Sequence, residues 1–109
     1  MALQLSYTPV TEDVPQAFTV MPPRPNPFNP VTTLRLYVSP GADTRLDVSV
    51  YDLRGRLVRR LHRGPVAPGW HEVTWDGRDD AGRSQASGVY FMRAQQADQA
   101  RTHKMTLVK

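Results

Sequence analysis

The chain has 109 residues, contains no cysteine and carries a formal net charge of +4 at pH 7. A chain of this length usually forms one domain, and the lack of cysteine excludes a disulfide framework, thiolate metal sites and cysteine catalysis. No run of about 18 apolar residues occurs, so the sequence predicts no transmembrane segment. Ten prolines and seven glycines indicate many turns and argue against long helices.

The first 30 residues are predicted to form a linker, a short strand and a proline-rich connection to the next strand. Residues 1–14 are expected to be a linker or the tail of a preceding domain, and residues 15–109 to form the folded domain. A short strand is predicted over residues 17–21. The proline-rich segment 22–30 follows, and its five prolines favour a stiff, extended connection. Phe28 within it is expected to insert at the edge of a hydrophobic core.

Alternation of apolar and polar residues predicts six further strands. Leu36 shares one face of the first of them with other aliphatic residues, and Val48 and Val50 do the same on the second, so we expect all three to be buried. With the short first strand, the predicted strands are 17–21, 32–38, 45–52, 56–62, 70–76, 88–94 and 102–108. Seven strands about ten residues apart, separated by turn residues, are typical of an all-β antiparallel sandwich.

The two tryptophans are the candidate residues for binding a carbohydrate. Trp70 and Trp75 are five positions apart on one predicted strand, so they point to opposite faces. We expect one of them in the core and the other partly exposed. Two rings on opposite faces cannot stack together on one sugar, so their geometry is poor for carbohydrate binding. An accessory carbohydrate-binding module is therefore kept only as an alternative function.

Five arginines lie close together at Arg54, Arg56, Arg59, Arg60 and Arg63. Such a cluster can attract phosphates or anionic glycolipids, although the commoner arrangement is a solvated strand face. Binding of nucleic acid usually adds exposed aromatic residues or a helix that enters a groove. The sequence offers neither, so we expect no nucleic-acid partner.

A polar loop after the fifth predicted strand contains the acidic residues Asp76, Asp79 and Asp80. It departs from a calcium-binding EF-hand loop at Arg78 and Ala81, the positions of a ligand and of the turn glycine. Aspartates in such loops commonly accept hydrogen bonds from nearby backbone N–H groups. We therefore predict no enzyme activity, no catalytic residue, no cofactor and no metal, with a looser metal site among these aspartates as the open alternative.

Five motifs occur in order along residues 15–109. They are PNPFNP at 25–30, YDLRGR at 51–56, WDGRD at 75–79, SGVYF at 87–91 and KMTLVK at 104–109. Together they resemble the C-terminal sorting domains of type IX (Por) secretion cargo. They are also similar to the immunoglobulin-like domain of flagellar hook-capping proteins, a structural relative.

The resemblance implies an immunoglobulin-like antiparallel β-sandwich of about seven strands that serves as a non-catalytic sorting and anchoring domain. Such a domain directs a secreted cargo through the type IX outer-membrane translocon to the cell surface. The implied partners are the translocon, surface sortase proteins and an anionic lipopolysaccharide. The implied location is secreted or cell-surface, reached through the periplasm by means of a signal peptide on an upstream part. The alternative is a structural module of a flagellar hook-capping or modular cell-surface protein.

The resemblance also implies a partner-binding site on the last two predicted strands. Its residues are Gly88, Val89, Tyr90, His103, Lys104, Met105, Thr106, Leu107, Val108 and Lys109. Alternation along residues 103–108 gives one apolar face for packing and a second face for a partner. A last strand at a sheet edge also offers unpaired N–H and C=O groups, which a partner can extend by strand addition.

Overall fold

The computed structural model describes residues 17–41 and 43–109, so the expected linker 1–14 lies outside the described residues. Seven strands and no helix occur in these two ranges, which confirms the all-β class. The strands are β1 Thr19–Val20, β2 Thr32–Val38, β3 Arg45–Asp52, β4 Leu57–Pro65, β5 Gly69–Trp75, β6 Gly88–Gln96 and β7 Gln99–Leu107. Consequently, no helix in this part of the chain is long and apolar enough to cross a membrane.

The strands form two sheets, and every pair of neighbours is antiparallel. The smaller sheet has the order β1-β2-β5, and the larger one has the order β4-β3-β6-β7. Apolar side chains from both sheets face each other in one core. Leu36, Val48 and Val50 are all fully buried there, as the alternation predicted.

Three aromatic residues close one end of the core. Trp75 is fully buried, and its ring centroid lies 5.5 Å from that of Phe28 and 5.1 Å from that of Tyr90. The Trp75 Nε1–H donates a hydrogen bond of 2.8 Å to the carbonyl of Arg78. Trp70 is half-buried on the outer face of the smaller sheet. The expected division of the two tryptophans and the insertion of Phe28 are both confirmed.

Gln96 is a buried polar residue that ties the end of β6 to the turn between β2 and β3. Its Oε1 accepts hydrogen bonds from the backbone N–H and the hydroxyl of Ser39, at 3.0 and 3.2 Å. Its Nε2 donates to the carbonyls of Ser39 and Asp43, at 2.9 and 3.0 Å. The side chain therefore satisfies all its polar atoms while it is only 4% exposed, as burial of an amide requires.

Candidate functional site

The structure brings together the two segments that were predicted to bind a partner. Gly88 is in register with Leu107, Val89 with Thr106, and Tyr90 with Met105. The start of β6 and the end of β7 are therefore neighbours in one sheet, and β7 is the last strand of that sheet.

Burial divides the predicted site into two sets. Tyr90, Met105 and Leu107 face the core and are at most 7% exposed. The Tyr90 hydroxyl donates to the carbonyl of Ala86 at 2.7 Å, and burial, with a smaller effect of the Asp52 carboxylate, raises the pKa of this phenol. These buried side chains pack the folded domain, and the binding of a partner by these three residues stays a prediction.

The other members of the predicted site reach the surface to different degrees. The side chains of Lys104, Val108 and Lys109 are exposed, and Val108 is 46% accessible. Gly88, Val89, His103 and Thr106 are half-buried. The alternation of packing and outward residues along β7 is confirmed, and the accessible part of the site is a short stretch with two cations and an apolar residue.

The outer backbone edge of β7 is closed along residues 104–108. The Asn26 Nδ2–H donates to the carbonyl of Lys104, and its Oδ1 accepts the N–H of Thr106, both at 3.0 Å. The N–H of Phe28 then donates to the carbonyl of Thr106, and its carbonyl accepts the N–H of Val108, both at 2.9 Å. β7 lies at a sheet edge as expected, but this half of it is not open for strand addition.

Asn26 is a residue of this edge that the sequence analysis did not single out. Its side-chain amide imitates one residue of a neighbouring strand, since it donates and accepts next to the backbone of β7. Proline has no N–H to offer a ladder, and the described hydrogen bonds from the proline-rich segment to β7 come from the Asn26 side chain and the Phe28 backbone. The PNPFNP motif was the available signal, because it places one amide and one aromatic residue between prolines.

The arginine cluster on and before β4 is largely paired with carboxylates. Arg56 lies 2.9 Å from Asp52, and Arg59 lies 3.4 Å from Asp76 and 3.8 Å from the carboxylate of Asp80. Arg63 also faces a carboxylate, that of Asp47, at 3.9 Å. These ion pairs favour the interpretation of the arginine cluster as a solvated strand face over its interpretation as an anion-binding site.

The loop aspartates Asp76 and Asp79 accept hydrogen bonds from backbone N–H groups two or four residues further along the loop. Asp79 Oδ1 accepts the N–H groups of Ala81 and Arg83 at 3.0 and 2.8 Å, and Asp76 Oδ1 accepts the N–H of Arg78 at 3.1 Å. This geometry is the turn chemistry that the sequence favoured. Within residues 17–41 and 43–109, no group of three or more His, Cys, Asp or Glu side chains is placed to hold a metal ion.

These turns predict a loss of stability in acid. The hydrogen bond from the backbone of Arg83 is the main cause that lowers the pKa of Asp79, so the folded state favours the carboxylate. The stabilisation is complete above the unfolded pKa, near 3.8, and is lost as the pH falls through the lower folded value. Urea unfolding of Asp79→Asn and of the unmodified chain should therefore differ at pH 7 and converge in strong acid. A constant difference across this range would contradict the assignment.

Comparison with known proteins agrees with this architecture. The family model of the FlgD Ig-like domain matches residues 29–100. The crystal structure of dimeric latent PorU from Porphyromonas gingivalis is similar with a TM-score of 0.66 and 28% identity over 91% of this chain and 10% of that one. No protein of curated function matches the sequence.

Two further solved structures share the fold. One is PorZ, an essential bacterial surface component of the type-IX secretion system of P. gingivalis, with a TM-score of 0.54 and 23% identity over 84% of this chain and 11% of that one. The other is FlgD from P. aeruginosa, with a TM-score of 0.53 and 21% identity over 88% of this chain and 74% of that one. The chain thus spans about a tenth of the length of the two Por proteins and most of the FlgD structure.

Proposed function

This chain belongs to the family of FlgD Ig-like domains, and we propose that it acts as a non-catalytic sorting and anchoring domain of a type IX secretion cargo. It directs the attached cargo through the outer-membrane translocon to the cell surface, where sortase proteins act on it. The proposed location of the cargo is secreted or on the surface, after passage through the periplasm.

The ordered set of five motifs carries this proposal. The likeness to a domain-sized part of PorU supports it, because it extends over 91% of the chain at 28% identity. The likeness to PorZ supports the fold alone at its 23% identity. The similar regions are small parts of much longer proteins, as is expected for a domain that directs the export of the protein to which it is joined.

The exposed end of β7 is the proposed recognition surface. The proline-rich segment already occupies the backbone edge, so a partner contacts the side chains of Lys104, Val108 and Lys109 there. Two cations beside an exposed valine suit an acidic surface with an apolar patch, as on a translocon protein. The same cations suit the anionic groups of a lipopolysaccharide.

The three histidines contact the backbone of the domain. The Nε2 atoms of His62, His71 and His103 lie within hydrogen-bond distance of backbone carbonyls, those of Gly64, Ala67 and Val20. A ring bonded in this way helps to hold a strand or a loop in place.

A structural module of a flagellar hook-capping or modular cell-surface protein is the second candidate function. The family model and the coverage of 74% of the FlgD structure favour it. It differs from the sorting function in one testable respect, because a purely structural module does not export a reporter.

Export of a fused reporter tests the proposal. Residues 15–109 are placed behind a signal peptide and a reporter in a host with a type IX system. We expect the reporter at the surface or in the medium. The double variant Lys104→Glu with Lys109→Glu should reduce export to the level of the reporter without the domain. The matched control, Arg45→Glu with Arg60→Glu, changes the net charge equally at exposed positions of β3 and β4, on the other side of the sheet from β7, and should export normally.

Folding is measured on the same variants by circular dichroism and urea unfolding. Exposed charges contribute little to stability, so both double variants should remain folded. If the unmodified domain folds but is not exported, the structural module becomes the better function. If the Lys104 and Lys109 variant exports normally, recognition does not depend on these cations.

A further inference from the structure

Three of the four sheet edges in the described sandwich are short or are protected over part of their length against pairing with another chain. The proline-rich segment closes the end of β7, and β1 has only two residues. β4 is covered in its first half, where Asp80 accepts the N–H of Arg60 at 3.1 Å and donates its own N–H to the carbonyl of Val58 at 3.1 Å. Register shifts between β3 and β4 further distort that edge. Such devices are how proteins prevent unwanted strand pairing.

β5 is different, because its outer edge is regular over all seven residues. It pairs with β2 from end to end without a register shift. The N–H and C=O groups of Thr33 and the C=O of Arg35 in β2 point toward the β1 side, so the intervening residues of β2 bond to β5. The alternation then directs the backbone groups of Trp70, Glu72 and Thr74 outward. None of the described residues hydrogen-bonds to the backbone of these three.

The inner side of this edge offers apolar contact surface. Leu61 in β4, Val66 just after it and Val73 in β5 pack against the core but stay partly exposed. β4 and β5 contact each other, and all three side chains pack against the same core. An added strand with inward aliphatic side chains would cover them.

The outer side of the edge carries an unpaired negative charge. Glu72 is exposed, and among the described residues its carboxylate has neither an ion pair nor a hydrogen bond. Its register neighbour Arg35 is directed elsewhere, with its guanidinium carbon 4.1 Å from the centroid of the Trp70 ring. A cation from an added strand is therefore the complement that Glu72 lacks.

We propose that the outer edge of β5 is a docking site for an extended segment of another polypeptide, which adds a strand to the smaller sheet. The segment alternates aliphatic residues, directed at Leu61, Val66 and Val73, with a basic residue opposite Glu72. Backbone hydrogen bonds supply affinity and the alternating side chains supply specificity. The site is separate from the end of β7 and does not depend on the sorting function.

Hydrogen exchange with a designed peptide tests the site. The probe is Gly-Thr-Val-Lys-Val-Thr-Gly with blocked termini, and the matched control has glutamate in place of lysine. At a peptide concentration about ten times its dissociation constant, amide exchange at Trp70, Glu72 and Thr74 should slow about tenfold. Exchange at Thr106 should not change. No slowing at saturation, or equal binding of the glutamate peptide, would overturn the proposal.

A pair of substitutions at one position separates backbone pairing from other effects. Thr74→Pro removes an outward N–H, which costs no bond to β2, whereas Thr74→Val retains it. Both lose the 3.1 Å contact between the Thr74 and Thr33 hydroxyls. We expect the proline variant to lose the peptide-dependent protection and the valine variant to keep it. Equal binding by both would overturn the site.

If Thr74→Pro does not fold, the variant Glu72→Lys tests the proposed docking site instead. This exposed substitution should reverse the preference, so that the glutamate peptide binds more tightly than the lysine peptide. An unchanged preference would overturn the charge assignment. Protection of the same amides without peptide, increasing with protein concentration, would show that a second copy fills the edge and would overturn the choice of another polypeptide as the occupant.

Discussion

Replacement of Trp75 by alanine should lower the free energy of unfolding by about 3–5 kcal/mol, the usual cost of removing a large buried aromatic side chain. The indole is fully buried and packs between the rings of Phe28 and Tyr90. Its removal leaves a cavity at the end of the core and also takes away the hydrogen bond to the Arg78 carbonyl. Urea unfolding followed by circular dichroism measures the loss.

Trp70→Ala is the matched control within the same strand. Trp70 is half-buried and contacts Tyr37, at 5.5 Å between centroids, and the Arg35 guanidinium. An aromatic pair and an exposed cation–π contact are each worth about 1 kcal/mol, so we expect a loss of roughly 1–2 kcal/mol. Equal losses in the two variants would contradict the placement of Trp75 in the core and Trp70 outside it.

The opposite fates of these tryptophans show what a strand pattern can predict. Their odd spacing places them on opposite faces, and the neighbouring aliphatic residues show that the core takes one face. The same reasoning located β2 and β3 at the bounds that the structure has. Side-chain alternation is a local property, so residues close in sequence are enough to reveal it.

The pattern failed where polar residues continue a strand. β6 was expected to end at residue 94 and β7 to begin at 102, yet the strands reach Gln96 and Gln99 and are joined by a two-residue turn. Gln96 is buried because the turn between β2 and β3 surrounds its amide with polar groups. The sequence around Gln96 does not reveal that its amide bonds to Ser39, which lies 57 positions away.

The closed backbone edge of β7 could not be predicted from the sequence for a similar reason. The contacts of Asn26 with Lys104 and Thr106 join residues 78 and 80 positions apart. A repeat of alternating residues marks β7 as a strand, but it does not reveal which segment lies beside it. The partial protection of the other three edges and the exposure of β5 likewise follow only from the assembled sheets.

The Asn26 amide gives the second large expected effect. Asn26→Ala removes two hydrogen bonds to backbone groups of β7, each worth about 1 kcal/mol net, so we expect a loss of roughly 2 kcal/mol in the free energy of unfolding. Amide exchange at Thr106 should accelerate, since its N–H loses its acceptor. Asn29→Ala is the matched control, because Asn29 lies exposed in the same proline-rich segment and has no hydrogen bond among the described residues.

Opening of this edge should also change how the domain associates. With Asn26 replaced, the carbonyl of Lys104 and the N–H of Thr106 become available to another strand, and exposed strand edges favour pairing between chains. Asn26→Asp retains an acceptor for Thr106 but places a carboxylate oxygen against the Lys104 carbonyl, so it should not restore the closed edge at pH 7. Sedimentation should show more association for Asn26→Ala than for Asn29→Ala. If Thr106 exchange and association match the control, Asn26 does not close the edge in solution.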